Sequence, residues 1–457
     1  MPAKGADSIP TSLSPRALRG PLARLGKANA AFAREHPGDP ADRQPVHTVY
    51  GGAQLFQADS ARKLGDLALR ALREYAPDPS ALGEALALPS ELATRVYPRV
   101  VAKLEREPVE DYRIDFEDGY GNRPDAEEDE DAVRTAEEVA RGLSVGSLPP
   151  CGGIRVKPLS GELFARSLRT LDVFVTTLAA RTKARLPPRF VVTVPKVTIP
   201  EHVATVAAMA EVLERKTRLA RRSLKLEIMV ETPQSILGPD GTAPLRRLVA
   251  AGEGRVTGAH FGTYDYTASC NITAAHQSMT HPACDFAKHV MQVSLAATGV
   301  ALSDGATNIM PVAPHRAAAG AALTEGQRRE NGAAVHRAWK LHFDHVRHSL
   351  VHAYYQGWDL HPAQLPTRYA AVYSFFLEGL DAASRRLKAF TEKAAQATLL
   401  GDVFDDAATG QGLLNFFLRG LNCGAITPEE AAATGLTREE MQGRSFVKIL
   451  EGRRRPR

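Results

Sequence analysis

The stretch LKLEIMVETPQSI, residues 224–236, joins two patterns within one short segment. Its apolar and β-branched first part predicts a strand, and the Glu231-Thr232-Pro233 sequence ends that strand and begins a helix. A buried strand that ends in a carboxylate and passes at once into a helix is typical of one β/α unit of a parallel sheet. The rest of the chain repeats this arrangement.

Seven further runs of strand character flank this unit. Stretches of helical periodicity, such as residues 162–184 and 201–217, separate them and indicate right-handed β-α-β connections in a parallel sheet. The eight runs are VHTVY (46–50), YRIDFED (112–118), GIRVKPL (153–159), FVVTVPKV (190–197), LKLEIMVET (224–232), VTGAHFG (256–262), VALSDG (300–305) and GWDL (357–360). Eight units over roughly 315 residues favour a (β/α)8 TIM barrel over an open doubly wound sheet.

Three segments are predicted along the chain. Residues 1–44 are rich in Ala, Pro, Arg and Gly with little periodicity, and they indicate a partly ordered arm. We expect the barrel to occupy residues 45–365. The strand patterns stop after Pro362, so residues 366–457 are expected to form a helical C-terminal region that ends in the basic tail GRRRPR, residues 452–457.

The composition argues against several classes of protein. The formal net charge is +5, but the basic residues are scattered and only 6% of residues are aromatic, which is unlike a nucleic-acid-binding surface. No apolar run is long enough to span a membrane, and the first residues lack the apolar core of a secretory signal. The cysteines are far apart and form no CxxC pair. We expect a cytoplasmic protein that binds neither nucleic acid nor membranes.

Charged residues follow the predicted strands where a barrel usually places its active site. Taken singly, each could be a helix cap or a paired surface charge. Placing charged groups from six successive strand ends at one rim of the barrel would cost electrostatic free energy unless a metal or a charged ligand bound them. These residues are Asp115, Glu117 and Asp118 in the second run, Arg155 and Lys157 in the third, Lys196 after the fourth, Glu231 after the fifth, Asp265 after the sixth and Asp304 after the seventh.

Glu231 and Asp265 are the candidate ligands of a magnesium ion, with manganese as the alternative metal. Magnesium usually takes one or two protein carboxylates and leaves its other positions to water and substrate oxygens. Arg155 is the candidate for binding a substrate carboxylate, because a guanidinium can donate two parallel hydrogen bonds to it.

Six short motifs occur in barrel order between residues 46 and 365. They are RIDFEDGYG (113–121), GIRVKP (153–158), PKV (195–197), IMVETPQSI (228–236), FGTYDYTAS (261–269) and LHPAQ (360–364). Together they resemble motifs of the HpcH/HpaI aldolase and citrate lyase beta-subunit superfamily, a group of phosphoenolpyruvate/pyruvate-type TIM barrels.

The chain also departs from that superfamily in three places. Lys157 stands where the family often has asparagine, and the first strand ends in residues 51–54, GGAQ, without the arginine of many relatives. Glu231 and Asp265 lie 34 positions apart, which is a longer spacing than in simple relatives. These departures indicate a divergent subfamily and leave the substrate open.

The resemblance implies a metal-dependent carbon–carbon lyase or aldolase. Its substrate would be a hydroxy-keto acid or a hydroxyacyl thioester such as a coenzyme A ester, and cleavage would leave an enolate that a fixed cation stabilises. Arg155 and the backbone amides of Gly262, Thr263 and Tyr264 would bind the substrate carboxylate. The family further implies a homo-oligomer, a trimer or a hexamer, in which an acidic C-terminal residue such as Asp359 reaches a neighbouring site.

The base that removes the substrate proton is expected among the residues after the second strand. Asp118 is the first candidate and Glu117 the second, and either could instead orient water around the metal. Lys196 could supply positive charge near the enolate or pair with a carboxylate at the rim.

Two other functions stay open. The same metal and arginine could serve a phosphoenolpyruvate-handling mutase, hydrolase or phosphotransferase, or the barrel could be a non-catalytic binding subunit. The histidines His342, His345, His348 and His352 recur at helical spacing, but we interpret them as an ordinary helix face because no HExxH glutamate accompanies them.

Overall fold

The computed structural model describes residues 12–38, 40, 42–317, 322–392, 398–400, 403–405, 407–443 and 445–454. Residues 1–11 of the expected arm and residues 455–457 of the expected basic tail lie outside these ranges. No helix in the described ranges is both long and apolar enough to cross a membrane.

Eight parallel strands form the centre of the fold, in the order β7-β6-β5-β4-β3-β2-β1-β8. The strands are β1 His47–Gly52, β2 Asp111–Asp115, β3 Cys151–Arg155, β4 Phe190–Val194, β5 Lys225–Val230, β6 Val256–Phe261, β7 Ala301–Ser303 and β8 Gly357–Asp359. A parallel bridge between Ala306 and Trp358, just beyond β7, joins the two ends of the sheet. The predicted (β/α)8 barrel is therefore confirmed, and each of the eight predicted runs overlaps one of the strands.

Helices follow the strands and surround the barrel. They are α1 Pro15–Glu35, α2 Ser60–Tyr75, α3 Pro79–Leu86, α4 Ser90–Arg106, α5 Asp125–Val145, α6 Phe164–Thr182, α7 Pro200–Thr217, α8 Pro233–Ile236, α9 Leu245–Ala251, α10 Thr263–Ser269, α11 Pro282–Leu295, α12 Glu325–Val351, α13 Leu365–Glu392, α14 Ala407–Cys423, α15 Pro428–Ala432, α16 Arg438–Gln442 and α17 Phe446–Arg454, with short 3-10 turns at Ala53–Leu55, Ala274–His276 and Pro362–Gln364. Helix α1 has no buried residue, so it adds nothing to the core.

The C-terminal part is helical, as expected, with one difference. Two short antiparallel strands, β9 Thr398–Leu400 and β10 Val403–Asp405, follow α13. Runs of three residues are too short for a strand pattern to be recognised in the sequence. Helix α13 follows β8 and packs against α4 and α12, so we propose a barrel boundary after Glu392 rather than after residue 365.

The interior of the barrel contains charged side chains where branched apolar residues are usual. Arg113 is 3% exposed, contacts Asp111 and donates to Glu227 Oε2 at 2.7 Å. His260 Nε2 lies 2.8 Å from the same oxygen, and His260 Nδ1 lies 3.5 Å from the Tyr50 hydroxyl. We call these five residues the polar column.

Neighbouring positive charge keeps Glu227 of the polar column ionised. Burial by itself would raise the pKa of Glu227, but the positive charges of Arg113 and His260 hold that pKa well below its ordinary value. The column ends beneath the C-terminal mouth of the barrel, because the Tyr50 ring stacks on the guanidinium of Arg155.

Candidate active site

Glu231 lies at the centre of the charged group at the C-terminal mouth of the barrel. It follows β5, is 1% exposed, and its Oε1 accepts a hydrogen bond from the main-chain nitrogen of Lys196 at 2.7 Å. Burial and the nearby carboxylates of Glu117 and Asp265 raise the pKa of Glu231 to about 8, although Lys196 and Arg155 act in the opposite direction. Lys196 and Arg155 therefore do not offset the combined effect of burial and the two neighbouring carboxylates.

Lys196 links the other carboxylates. Its φ of +49° is unusual for a residue with a side chain, and strained backbone of this kind often occurs at functional sites. Its Nζ lies 2.5 Å from Glu117, 3.5 Å from Asp118 and 3.6 Å from Asp265. Burial alone would lower the pKa of Lys196, but Glu117 and Glu231 raise it above its ordinary value, so the ammonium stays charged.

Arg155 is held rigidly by this chain's own residues. Its Nε and Nη2 donate to the two oxygens of Asp115 at 2.7 and 2.6 Å. The side edge of the guanidinium, formed by Nε and Nη2, is therefore occupied by Asp115. Nη1 faces the site instead, 2.8 Å from Glu117 Oε2. The guanidinium centre also lies 4.8 Å from the Tyr50 ring and 5.9 Å from the Trp358 ring.

Glu117 and Asp118 differ in their surroundings. Glu117 is buried, and burial raises its pKa even though Arg155 and Lys196 lower it. Its ion pair with Arg155 lacks hydrogen-bond geometry at Oε2. The side chain of Asp118 is 62% exposed and its carboxylate lies 3.9 Å from Arg155 Nη1.

The loop after β6 places Gly262 beside Glu231, and the predicted residues Thr263 and Tyr264 follow it in the chain. The Gly262 nitrogen donates to the Val230 carbonyl at 3.1 Å, so this amide is already used. Thr263 and Tyr264 begin α10, where amides have no acceptor within the helix, and they stay candidates for binding an anion. The Tyr264 hydroxyl donates to the Ala306 carbonyl and accepts from the Asn308 nitrogen.

Other charged strand ends do not join this group. Lys157 donates to the Phe116 carbonyl at 2.7 Å and pairs with Glu128 at 3.0 Å. Asp304 is fully buried and pairs with Lys288 at 2.9 Å. Lys157 and Asp304 both have local structural partners, so the expectation that charged groups from six strand ends converge was partly wrong.

Asp359 cannot reach a neighbouring subunit, which corrects the expectation for this residue. It is fully buried, 2.8 Å from His47 Nδ1, 3.0 Å from His342 Nε2 and 2.9 Å from Arg368 Nη2. Burial alone would raise the pKa of Asp359, but Arg368 and the two histidines hold it well below the ordinary value.

A family model describes most of the chain. The model of a domain of unknown function, DUF6986, matches residues 25–449. The chain belongs to the DUF6986 family. A comparison of this DUF6986 chain with curated proteins found no match.

Solved structures resemble the DUF6986 chain in fold. A citrate lyase from Burkholderia xenovorans LB400 is 18% identical, with a TM-score of 0.56 over 87% of this chain and 97% of its own. A malate synthase from Haloferax volcanii is 14% identical, with a TM-score of 0.47 over 91% and 98%. A magnesium and glyoxylate complex of that enzyme is 15% identical, with a TM-score of 0.43 over 89% and 97%. The similarity to the citrate lyase concerns the barrel fold alone.

The donor set of the DUF6986 chain fits a hard divalent cation. No three His, Cys, Asp or Glu side chains group as a metal site in the described ranges. Magnesium needs only one or two protein carboxylates, however, and Glu231 and Asp265 are close enough for their charges to interact. Burial contributes most to the raised pKa of Glu231, and the carboxylates of Glu117 and Asp265 add negative charge that a cation would neutralise.

Sequence reasoning missed the residues that support Arg155. Tyr50 and Trp358 stack near its guanidinium, Met229 Sδ lies 3.6 Å from Nη1, and Asp115 binds its other edge. One signal was available for Asp115, because residues 113, 115 and 117 alternate along β2 and so point to one side of the strand.

Proposed function

We propose that this DUF6986 protein is a magnesium-dependent carbon–carbon lyase or aldolase, from a divergent branch of the HpcH/HpaI aldolase and citrate lyase beta-subunit superfamily. Its substrate would be a hydroxy-keto acid or a hydroxyacyl thioester. The observation that supports this most strongly is the buried Glu231 beside Glu117 and Asp265, with a pKa of about 8. Such a cluster favours a bound cation at the mouth of a barrel, where these enzymes carry their chemistry.

Glu231 and Asp265 would hold the magnesium ion, and manganese is the alternative. When bound, the ion supplies positive charge where an enolate oxygen develops during cleavage. Asp265 is at the first turn of α10 with a side chain 41% exposed, which leaves room for water and substrate oxygens beside it.

The chain's own cations would bind and orient the substrate. Arg155 Nη1 faces the site and would donate to the substrate carboxylate, together with the amides of Thr263 and Tyr264. Since Asp115 fixes the rest of the guanidinium, this donor is already oriented before the substrate arrives. Lys196 keeps its proton and would place a fixed positive charge beside the reacting carbonyl.

Glu117 is our preferred base, ahead of Asp118. It would accept the proton of the substrate hydroxyl while the adjacent carbon–carbon bond breaks. Its raised pKa brings it closer to neutrality, where a base works best, and Arg155 and Lys196 hold it in place. Asp118 is mostly exposed, which is less suited to a proton transfer away from bulk water.

The experiment measures pyruvate release from a panel of hydroxy-keto acids, and release of the shorter acyl-CoA with its carbonyl product from hydroxyacyl-CoA esters, with and without magnesium. We expect metal-dependent release from at least one substrate and an upward thermal shift with magnesium and oxalate together. Glu231→Gln should abolish both, and the exposed Glu211→Gln on α7 should change neither. Phosphate release from phosphoenolpyruvate without any pyruvate from the panel would replace this function with a phosphoryl-transfer enzyme. No thermal shift and no product would leave only a binding subunit.

Oligomerisation belongs to the same proposal. A trimer or a hexamer is what the superfamily resemblance implies, and sedimentation velocity of the purified full chain tests it. If the protein is a monomer throughout the micromolar concentration range, the proposed trimer or hexamer is wrong, and the proposed lyase reaction is unaffected.

A further inference from the structure

A cavity of about 1500 Å³ lies at the end of the barrel opposite the candidate active site. The first residues of several strands line it, among them Phe190 of β4, Lys225 of β5 and Ala301 of β7. Residues 37–38, 40 and 42–45 also line it, together with residues of α14 and α17. The volume is ample for a small-molecule ligand.

Basic side chains outnumber acidic ones in the lining of this cavity. The basic residues are Arg43, Arg113, Arg185, Arg189, Lys225, Arg419 and Lys448, against Asp42, Asp111 and Glu227. Arg113 is neutralised by its acidic neighbours within the polar column. Arg43 is neutralised by Glu107 and Glu110. When these ion pairs are set aside, the remaining basic side chains of the lining still outnumber the remaining acidic one, so the net charge is positive.

Arg185 and Lys225 carry part of that remaining charge on neighbouring segments. Arg185 is in the loop that leads into β4, and Lys225 begins β5, which pairs with β4 so that Val191 is opposite Lys225. Arg185 Nε has only the Thr182 carbonyl, at 3.5 Å, as a partner in the described ranges, and Lys225 has no ion pair there. The exposed Lys448 approaches the same space from α17.

Helix α14 adds side chains to the cavity lining that suit a polar ligand. Arg419 of α14 stacks on the Tyr355 ring at 4.8 Å and donates to Gln44. The side chains of Asn415 and Asn422, also on α14, line the same cavity and can donate or accept hydrogen bonds. A partly enclosed space with excess positive charge attracts anions more strongly than an open surface does.

We propose that this cavity binds an anionic small molecule with two or more negative groups, either phosphates or carboxylates. Arg185 and Lys225 would bind one group, and Lys448 on α17 would bind another. The site is separate from the candidate active site, and the inference does not depend on the proposed reaction.

The test is calorimetric titration of the metal-free full chain at low, matched ionic strength. The probes are inorganic pyrophosphate and citrate, which distinguish phosphate from carboxylate ligands. We expect at least one probe to bind at a single site with a Kd below about 1 mM. The double variant Arg185→Gln with Lys225→Gln should weaken binding at least tenfold. Lys448→Gln should weaken it at least threefold.

Two controls separate this site from other anion binding. Arg215→Gln, an exposed substitution on α7, removes one positive charge away from the cavity and should leave the Kd unchanged. Lys196→Gln alters the mouth of the barrel and should also leave it unchanged. The proposal fails if neither probe binds, if Arg215→Gln weakens binding as much as the double variant, or if Lys196→Gln abolishes it. Should the double variant not fold, an unchanged Kd in Lys448→Gln overturns the proposal.

Discussion

Gly262 lies so close to Glu231 that no side chain fits between them. A Cβ at this position would be 2.4 Å from Glu231 Oε2 and 2.5 Å from Glu231 Cβ. Gly262→Ala should therefore displace the carboxylate and cost about 1–3 kcal/mol of stability through overpacking. We expect the variant to lose the thermal shift produced by magnesium and oxalate.

Gly152→Ala is the matched control for this substitution. Gly152 is also on a barrel strand, but a Cβ there would have its nearest contact 3.4 Å away, at the Tyr112 carbonyl. The control should keep both stability and the thermal shift. If Gly262→Ala behaves like Gly152→Ala in unfolding and in the thermal shift, the close approach has no consequence.

His345 makes the stability of the fold depend on pH. Burial lowers its pKa to about 4, against 6.5 for an ordinary histidine, and its Nδ1 lies 2.9 Å from Thr307 Oγ1. The unfolded chain therefore binds a proton at a pH where the folded chain does not. The stabilisation is complete above pH 6.5 and is lost as the pH falls from 6.5 towards 4.

Urea unfolding at pH 7.5 and pH 5 measures this effect. Between these values the wild type should lose about 2 kcal/mol through His345, a loss that His345→Asn should not show. The exposed His276→Asn should retain the wild-type loss. An equal loss in all three proteins would mean that His345 titrates normally in the fold.

For single residues, the sequence predicts which side chains surround the candidate active site but not how those side chains are oriented. Glu231 and Asp265 come close because Glu231 directly follows β5 and Asp265 is in the first turn of α10, just after the adjacent strand β6. The orientation of Arg155 depends on its register with Asp115 across β2 and β3. No pattern within one strand contains that register, so the occupied edge of the guanidinium could not be foreseen.

Among the elements, the barrel strands show most clearly what a sequence pattern can predict. Apolar runs located all eight, because a parallel strand covered by helices must be apolar on its outer face. The polar column was not predicted. Arg113 and Glu227 interrupt the apolar runs of β2 and β5, and only closure of the sheet places both side chains in one interior.

The polar column should be intolerant of single changes. Arg113→Met would leave the buried Asp111 without a positive partner and Glu227 with His260 alone, which we expect to cost about 3–5 kcal/mol in urea unfolding. Arg181→Met, which breaks an exposed ion pair with Glu137, should cost less than about 1 kcal/mol. A small effect of Arg113→Met would show that the buried acids find other partners.

At the scale of the whole molecule, the N-terminal segment contributes to the stability of the fold only from about residue 36 onward. Helix α1 buries nothing. Arg43, in contrast, pairs with Glu107 at 2.6 Å and with the buried Glu110, and Gln44 donates to the Leu302 carbonyl at 2.9 Å.

Two truncated chains test this difference. Removing residues 1–35 should change the unfolding free energy by less than about 1 kcal/mol. Removing residues 1–45 should cost about 3 kcal/mol, since Glu110 then keeps only Lys103 as an ion partner. Equal stabilities of the two truncated chains would show that the barrel closes without Arg43.

The polar column also limits how this barrel can be redesigned. Each of its ionised members is neutralised by another, so substitutions made one at a time pass through destabilised intermediates. A simultaneous replacement of Asp111, Arg113, Glu227 and His260 by apolar residues of matched volume is expected to be neutral or stabilising. These four residues can therefore be replaced together but not singly. The Tyr50 ring would still support Arg155 after such a replacement.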